Sequence, residues 1–128
     1  MSCEAISTEA APKAIGPYSQ AIRAGGLIFV SGQIPVDPAT GNLASDDVVN
    51  QTKQVISNLS AVLHAAGATL SNVASTTIFL TDLNDFQSVN AVYGAAFPDT
   101  PPARATVEVS ALPLGARVEI SLVAVAPS

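Results

Sequence analysis

The sequence predicts an α+β fold in which two helices cover one face of a mostly antiparallel sheet. The order of the predicted elements is ββαβαββ, and helices segregated to one face are the expected packing for that order. No repeat, low-complexity segment or linker interrupts the 128 residues, so a single domain is predicted. A domain of this length buries about 65 to 70% of its unfolded surface and needs no disulfide or metal to stay folded.

The N-terminal third is predicted to form a flexible arm, a β-hairpin and a loop. Residues 1–12 are small and polar without periodicity, which is typical of a loose arm. Residues 18–23 and 27–31 are rich in strand-forming residues, and the Ala-Gly-Gly turn between them permits the positive φ that tight turns need. The prolines and the glycine of residues 35–42 then indicate a loop.

Residues 46–66 carry the clearest helical periodicity. Ser45 or Asp46 can cap the first turn, and Gly67 can adopt the left-handed conformation that ends many helices. The positions on the apolar face are Val48, Thr52, Val55, Ile56, Leu59, Val62, Leu63 and Ala66. This spacing predicts an amphipathic helix that packs on the sheet.

A strand and a second helix are predicted next. Residues 73–81 are rich in β-branched side chains, which favour a strand. Asp82 or Asn84 can cap the helix that follows, and the sequence PDTPP at 98–102 ends it. Its apolar positions are Phe86, Val89, Tyr93, Ala96 and Phe97. The chain again buries one helical face on the sheet.

The last two strands are predicted to form a hairpin and to leave the far face of the sheet uncovered. Residues 104–109 and 117–124 are β-type segments, and Pro113 and Gly115 between them suit a tight connection. Hydrophobic residues make up 48% of the chain and charged residues only 12%. This proportion of charged residues is low for keeping a monomer of this size soluble. We therefore expect other subunits to cover the free face.

Composition and charge argue against several classes of function. The net charge is −5 and the five basic residues form no cluster, so nucleic-acid binding is disfavoured. One Cys and one His cannot supply a transition-metal site within one chain, and a lone Cys is unusual in oxidising compartments. No signal peptide or apolar run of about 18 residues is found, so the expected location is the cytoplasm, without a membrane partner.

Two charged residues, Arg104 and Glu119, lie among apolar neighbours in the last two strands. An ion in a core strand is costly unless something pairs with it, so this placement suggests a ligand or a partner. Alternation puts Arg104 on one face with Thr106 and Glu108, and Glu119 on one face with Arg117. From alternation alone, solvated faces or a cross-strand ion pair are favoured, and Glu108 and Arg117 are expected to be paired at the surface or unpaired.

Residues 14–125 resemble the RidA (YjgF) family of enamine and imine deaminases. The motifs that carry the resemblance are IGPYSQA (15–21), VSGQIPVDP (30–38), FLTDLNDFQSVNAVY (79–93), PPARATVEV (101–109) and LPLGARVEI (112–120). The resemblance implies a chorismate-mutase-like fold and a homotrimer with clefts between subunits. A trimer of this kind would cover the free face of the sheet.

The resemblance assigns the catalytic roles to Arg104 and Glu119. Arg104 matches the arginine that holds the substrate carboxylate, a task that suits the rigid fork of a guanidinium. Glu119 matches the carboxylate that orients or activates the hydrolytic water. Both are expected to face one pocket from adjoining strands. Thr106 replaces a Cys found in some members, and since Thr offers no low-pKa thiolate, we expect it to bind the carboxylate rather than act as a nucleophile.

Four further residues match positions of the family cleft. Tyr18 is expected to pack on the substrate from a neighbouring subunit, although a core tyrosine is an alternative. Ser31 and Gly32 match cleft residues at a strand end, where a missing side chain permits close approach of a ligand; without the family, Gly32 would indicate a bulge. Asn90 matches a cleft asparagine, although such amides more often cap or bridge loops.

The predicted function is hydrolysis of 2-imino acids such as 2-iminopropanoate and 2-iminobutanoate to 2-oxo acids and ammonia. No cofactor is expected, because the protonated imine is already an electrophile. One alternative is a trimer that senses small ligands or binds proteins through the same cleft without turnover. A ribonuclease or translation inhibitor, also reported for relatives, is disfavoured by the acidic balance and the single His.

Overall fold

A computed structural model describes residues 2–127 as a six-stranded sheet with two α-helices. The strands are β1 (Glu4–Ile6), β2 (Ala21–Ala24), β3 (Leu27–Gln33), β4 (Val73–Leu80), β5 (Ala103–Glu108) and β6 (Val118–Val125), and the helices are α1 (Val48–Ala65) and α2 (Phe86–Ala96). The sheet order is β1-β2-β3-β6-β4-β5, with only the β4–β5 pair parallel. The predicted α+β class is therefore confirmed, with one short strand more than the sequence indicated.

The predicted hairpin between the last two strands is wrong. Strand β5 pairs in parallel with β4, and β6 lies between β3 and β4. The reason is the helix α2, since a strand that follows a helical crossover returns parallel to the strand before it. The connection with Pro113 and Gly115 forms a 3₁₀ turn and carries the chain across β4 to the other side. The strands of Arg104 and Glu119 are thus not neighbours.

The described part of the N-terminal segment is anchored and does not form the predicted flexible arm. Residues 4–6 pair with β2, and Ala11 is only 1% exposed. The buried side chain of Gln20 accepts a hydrogen bond from the N–H of Thr8 and donates to the carbonyls of Thr8, Ala11 and Pro12. A single amide side chain therefore satisfies four backbone groups of residues 8–12, which a loose arm would leave to water.

Helix α1 packs its apolar face on one side of the sheet. Asp47, rather than Ser45 or Asp46, caps it by accepting from the N–H of Asn50, and Gly67 takes the left-handed exit with φ 80°. Its residues in the core are Val48, Val55, Leu59, Val62 and Leu63, which pack with Ile28, Ile78 and Ile120 of the sheet. No helix between residues 2 and 127 has the length and apolarity needed to cross a membrane.

The opposite side of the sheet, which we call the open face, is apolar and exposed. Its exposed side chains are Leu27 and Phe29 of β3, Val107 of β5 and Val125 of β6. In β3 and β6 they alternate with core residues, as half-buried strands require. The sheet therefore keeps an uncovered apolar surface, as the sequence predicts, and the helices lie on the other side only.

Candidate active site

The guanidinium of Arg104 lies between two aromatic rings of α2. Its central carbon is 5.4 Å from the ring centroid of Phe86 and 5.1 Å from that of Tyr93. One of its nitrogens, Nη1, donates to Oδ1 of Asn90 over 2.8 Å. The ring of Tyr93 is held in turn by a 2.6 Å hydrogen bond between its hydroxyl and that of buried Thr76. Rings and amide orient the cation without neutralising it.

Arg104 is therefore free to bind an anion. Within residues 2–127, no carboxylate lies within the 4.0 Å that defines a salt bridge to it, and the side chain is exposed. The cross-strand ion pair that alternation alone favoured is thus not formed. A guanidinium with unused N–H groups matches the geometry of a carboxylate.

Thr106 lies on the same face of β5 as Arg104, two residues further along. Its hydroxyl is buried and finds no hydrogen-bond partner in the described part of the chain. A buried hydroxyl without a partner is uncommon in native structures. Its contact with a ligand remains a prediction.

Glu119 lies beside Gly32, on the open face of the sheet. A Cβ added to Gly32 would overlap the Glu119 side chain, so glycine at this position leaves room for the carboxylate where it lies. The pairing of β3 with β6 shifts register between Val30 and Gln33, which gives the bulge that glycine here indicated. Burial raises the pKa of the Glu119 carboxyl above its ordinary value, because desolvation disfavours the charged form.

Tyr18 and Ser31 are linked to Gly32, the residue beside this carboxylate. The Ser31 hydroxyl donates to the carbonyl of Ser19 over 2.6 Å, so it ties β3 to the segment that carries Tyr18. Tyr18 is 50% exposed and is not a core tyrosine. It lines a surface cavity of about 510 Å³ together with Gly32. Ser31 thus acts on the position of its neighbours, while Tyr18 and Gly32 face the cavity.

The seven predicted site residues fall into two groups. The arginine cluster contains Asn90, Arg104 and Thr106, and the glutamate cluster contains Tyr18, Ser31, Gly32 and Glu119. Strand β4 relates the two residues, because it pairs with both β5 and β6. Arg104 pairs with Thr76 of β4, whose side chain lies on the helix side of the sheet, and Glu119 pairs with Phe79 of β4, whose side chain lies on the open face. Two strand spacings of about 4.8 Å and three residues of offset put the two Cα atoms about 14 Å apart. One chain does not bring the two clusters together.

The sequence did not identify the aromatic groups that hold Arg104. Phe86 and Tyr93 were predicted only as parts of a buried helical face. With Asn90 they form an i, i+4, i+7 row on α2, and all three contact the guanidinium. Residues at this spacing share one side of a helix. The sequence signal for this contact is a helical row of two aromatic residues and an amide, followed by a strand with a lone arginine.

Arg117 and Glu108, which the sequence predicts as a surface pair or as unpaired, each bind a different partner. Arg117 binds both oxygens of Asp85 through Nη2, at 2.9 Å each. Glu108 accepts from the N–H of Leu83. Both contacts hold the segment that begins α2, which carries the aromatic groups around Arg104. Both residues therefore support the arginine cluster, a role that the sequence does not predict.

Comparison with known proteins agrees with this architecture. The family model described as Endoribonuclease L-PSP matches residues 8–126. The crystal structure of the YjgF gene product of E. coli superposes with a TM-score of 0.92 at 46% identity, covering 97% of this chain and 99% of the other. The chain belongs to the RidA/YjgF/L-PSP family. The recognised resemblance and the chorismate-mutase-like fold are thereby confirmed.

Members of the family at about half identity carry different names. Mouse 2-iminobutanoate/2-iminopropanoate deaminase is 49% identical over 120 residues, which cover 94% of this chain and 89% of the mouse protein. Protein DfrA of Myxococcus xanthus is 58% identical over 127 residues, which cover 98% and 97% of the two chains. Family membership alone therefore does not select one activity.

Proposed function

We propose that the protein hydrolyses 2-imino acids and their enamine tautomers to 2-oxo acids and ammonia, with 2-iminopropanoate and 2-iminobutanoate as substrates. The observation that carries the proposal is the Arg104 guanidinium, oriented by Phe86, Tyr93 and Asn90 yet unpaired with any carboxylate of residues 2–127. The elevated pKa of Glu119 supports it, since half-buried carboxyls of this kind serve as general bases. The mouse relative bears the name of this activity.

In the proposed reaction Arg104 binds the substrate carboxylate and fixes the imine carbon. Ionised Glu119 accepts a proton from water while the water oxygen bonds to the carbon of the protonated imine, and the C=N π electrons move to the nitrogen, which becomes an amine. Glu119 then gives this proton to the amine of the resulting carbinolamine, which makes ammonia a leaving group. The C–N bond breaks as the carbinolamine oxygen forms the C=O bond and its hydroxyl proton returns to Glu119, which leaves the 2-oxo acid; ammonia takes up this proton and Glu119 is ionised again. Positioning of the water and the imine supplies much of the rate.

The complete site requires a second copy of the chain. The arginine and glutamate clusters lie on opposite faces of the sheet, with β4 between their strands. The open face is apolar and uncovered, and β5 is an edge strand. A homotrimer in which the arginine cluster of one subunit meets the glutamate cluster of the next satisfies both features. The site is then composed of residues from two chains.

Mixing two inactive variants tests the composite site. Arg104→Ala and Glu119→Gln, unfolded together in equal amounts and refolded, are expected to regain about a quarter of the wild-type activity, because one interface in four pairs an intact Arg104 with an intact Glu119. The measurement is imine hydrolysis after refolding, with each variant refolded alone as the control. A mixture no more active than its components places both residues in the same subunit and refutes the composite site.

A coupled assay tests the reaction itself. An amino acid oxidase or a pyridoxal-phosphate-dependent dehydratase generates 2-iminopropanoate, and semicarbazide traps whatever imine remains. Catalytic amounts of the protein are expected to lower the rate of semicarbazone formation, because hydrolysis competes with trapping. An unchanged rate excludes the deaminase. In that case, pyruvate that still raised the Tm would indicate a sensor, and cleavage of added RNA would indicate a ribonuclease.

A further inference from the structure

Leu114 has a backbone conformation that its side chain disfavours. With φ 59° and ψ 19° it is the one non-glycine residue of positive φ among residues 2–127. In this region the Cβ of an L-residue crowds the following carbonyl, which is why glycine and asparagine are preferred there. The Leu114 side chain is 61% exposed, so core packing does not compensate for the strain. Such outliers often mark functional positions.

The Leu114 side chain lines the cavity of about 510 Å³ beside the glutamate cluster. Ile15, 83% exposed, and Tyr18 also line it. Gly32, which leaves room for the Glu119 carboxylate, is a further lining residue. Two exposed aliphatic side chains and a half-exposed aromatic ring thus surround a concave space next to the proposed general base.

The walls of this cavity are fixed before any ligand binds. One wall contains Ala11 and Pro12, whose carbonyls are held by the Gln20 side chain. The other contains Ile34 and Val36, whose carbonyls accept from the buried amide of Asn58. A volume of this size and a preformed, largely apolar lining are typical of sites for small molecules.

The charged lining residues do not select for a charged ligand. Glu9 and Lys13 both line the cavity, and both are exposed. Because their charges are opposite, they give the lining no net charge. The aliphatic residues are therefore the dominant recognition elements, and they favour alkyl groups that leave water.

We propose that this cavity binds the side chain of the imino acid and that Leu114 and Ile15 select branched or extended aliphatic side chains, such as that of the leucine-derived imine. The inference rests on the proposed deaminase function and names its substrate class. The methyl group of 2-iminopropanoate fills little of the cavity, whereas the isobutyl group of 2-imino-4-methylpentanoate reaches its aliphatic walls.

The replacement Leu114→Asn tests this inference without adding strain, because asparagine tolerates positive φ. The measured quantity is the selectivity ratio, kcat/KM for 2-imino-4-methylpentanoate divided by kcat/KM for 2-iminopropanoate. It is expected to fall about tenfold, since loss of an alkyl contact in a pocket changes specificity by this order. Leu83→Asn, the same change at an exposed leucine outside the cavity, leaves the backbone N–H that binds Glu108 in place and is expected to keep the ratio.

A binding measurement separates failure of the inference from failure of the proposed function. Isothermal titration calorimetry with 4-methyl-2-oxopentanoate and with pyruvate needs no turnover. Tighter binding of the larger acid by the wild type, and loss of this preference in Leu114→Asn, support the proposed role of the cavity. Equal affinities in the wild type, or an unchanged selectivity ratio in the active variant, overturn the inference while imine hydrolysis stands. A change of oligomeric mass in Leu114→Asn, seen by analytical ultracentrifugation, assigns Leu114 to a subunit contact and also overturns it.

Discussion

Replacement of Arg104 by alanine is expected to lower kcat/KM for 2-iminopropanoate roughly 10²- to 10³-fold, the range for loss of one partner of a hydrogen-bonded charge pair. The substrate carboxylate is bound in the ground state as well as in the transition state, so much of the loss is expected in KM. Arg104→Lys is expected to lose about tenfold, because an ammonium group lacks the planar fork that binds two oxygens. Steady-state kinetics with imine generated in situ measure both.

The control for this prediction is Arg23→Lys. Arg23 pairs with Glu4 and donates to the carbonyl of Ala66, outside both clusters. The Arg23→Lys variant is expected to change in stability and to keep kcat/KM near the wild-type value. If Arg104→Ala hydrolyses imine at the wild-type rate and KM, the carboxylate is bound elsewhere and the proposed mechanism is wrong.

Replacement of Glu119 by glutamine is expected to lower kcat by about 10² to 10⁴, the usual contribution of a general base. The wild-type rate is expected to fall as the pH is lowered through the pKa of Glu119, which burial raises above the ordinary 4.5. The amide cannot accept the proton, so the Glu119→Gln rate keeps no such pH dependence. The pH profile of kcat, measured with both proteins, checks this prediction.

The same substitution is expected to raise Tm at neutral pH. A raised pKa in the folded state means that folding favours the protonated carboxyl. The stability that this protonation supplies is fully present below the pKa of the unfolded chain and is lost as the pH rises through the folded value. Glutamine removes this partly buried charge. The Tm of Glu119→Gln is therefore expected to exceed that of the wild type near pH 7, and the difference is expected to vanish in acid.

Thermal unfolding of both proteins across this pH range tests the stability effect. The control is Asp99→Asn, which removes an exposed carboxylate from the loop before β5 and is expected to change neither the pH profile nor the pH dependence of Tm. A Glu119→Gln protein that is fully active, or one destabilised equally at every pH, contradicts the role assigned to this carboxyl.

Local patterns predicted the elements but not the order of the strands. Helix α1 was expected over 46–66 and spans Val48–Ala65, because its periodicity and its end signals agree. The position of β6 depends instead on which strands offered a free edge. The turn residues before it carry no information on that choice. The same holds for residues 8–12, which are ordered by the distant side chain of Gln20.

The sequence predicts the candidate site as a set of residues and not as an arrangement. Arg104 and Glu119 were recognisable as charges among apolar neighbours, and the motifs around them supplied the remaining residues. Their opposite faces follow from the insertion of β6 beside β4, which no pattern within either strand records. The contact of Phe86 and Tyr93 with Arg104 depends on the approach of α2 to the edge strand, and helical periodicity gives only the face, not what it meets.

The proposed catalytic residues and most of the cavity walls belong to different parts of the chain. Arg104 and Glu119 lie on strands, whereas the walls come mainly from residues 9–20, residues 34–41 and Leu114, which lie outside the strands. Connecting segments accept changes of length and composition that strands do not. Exchange of these connecting segments is thus a route to proteins with new preferences in which the strands of Arg104 and Glu119 are unchanged.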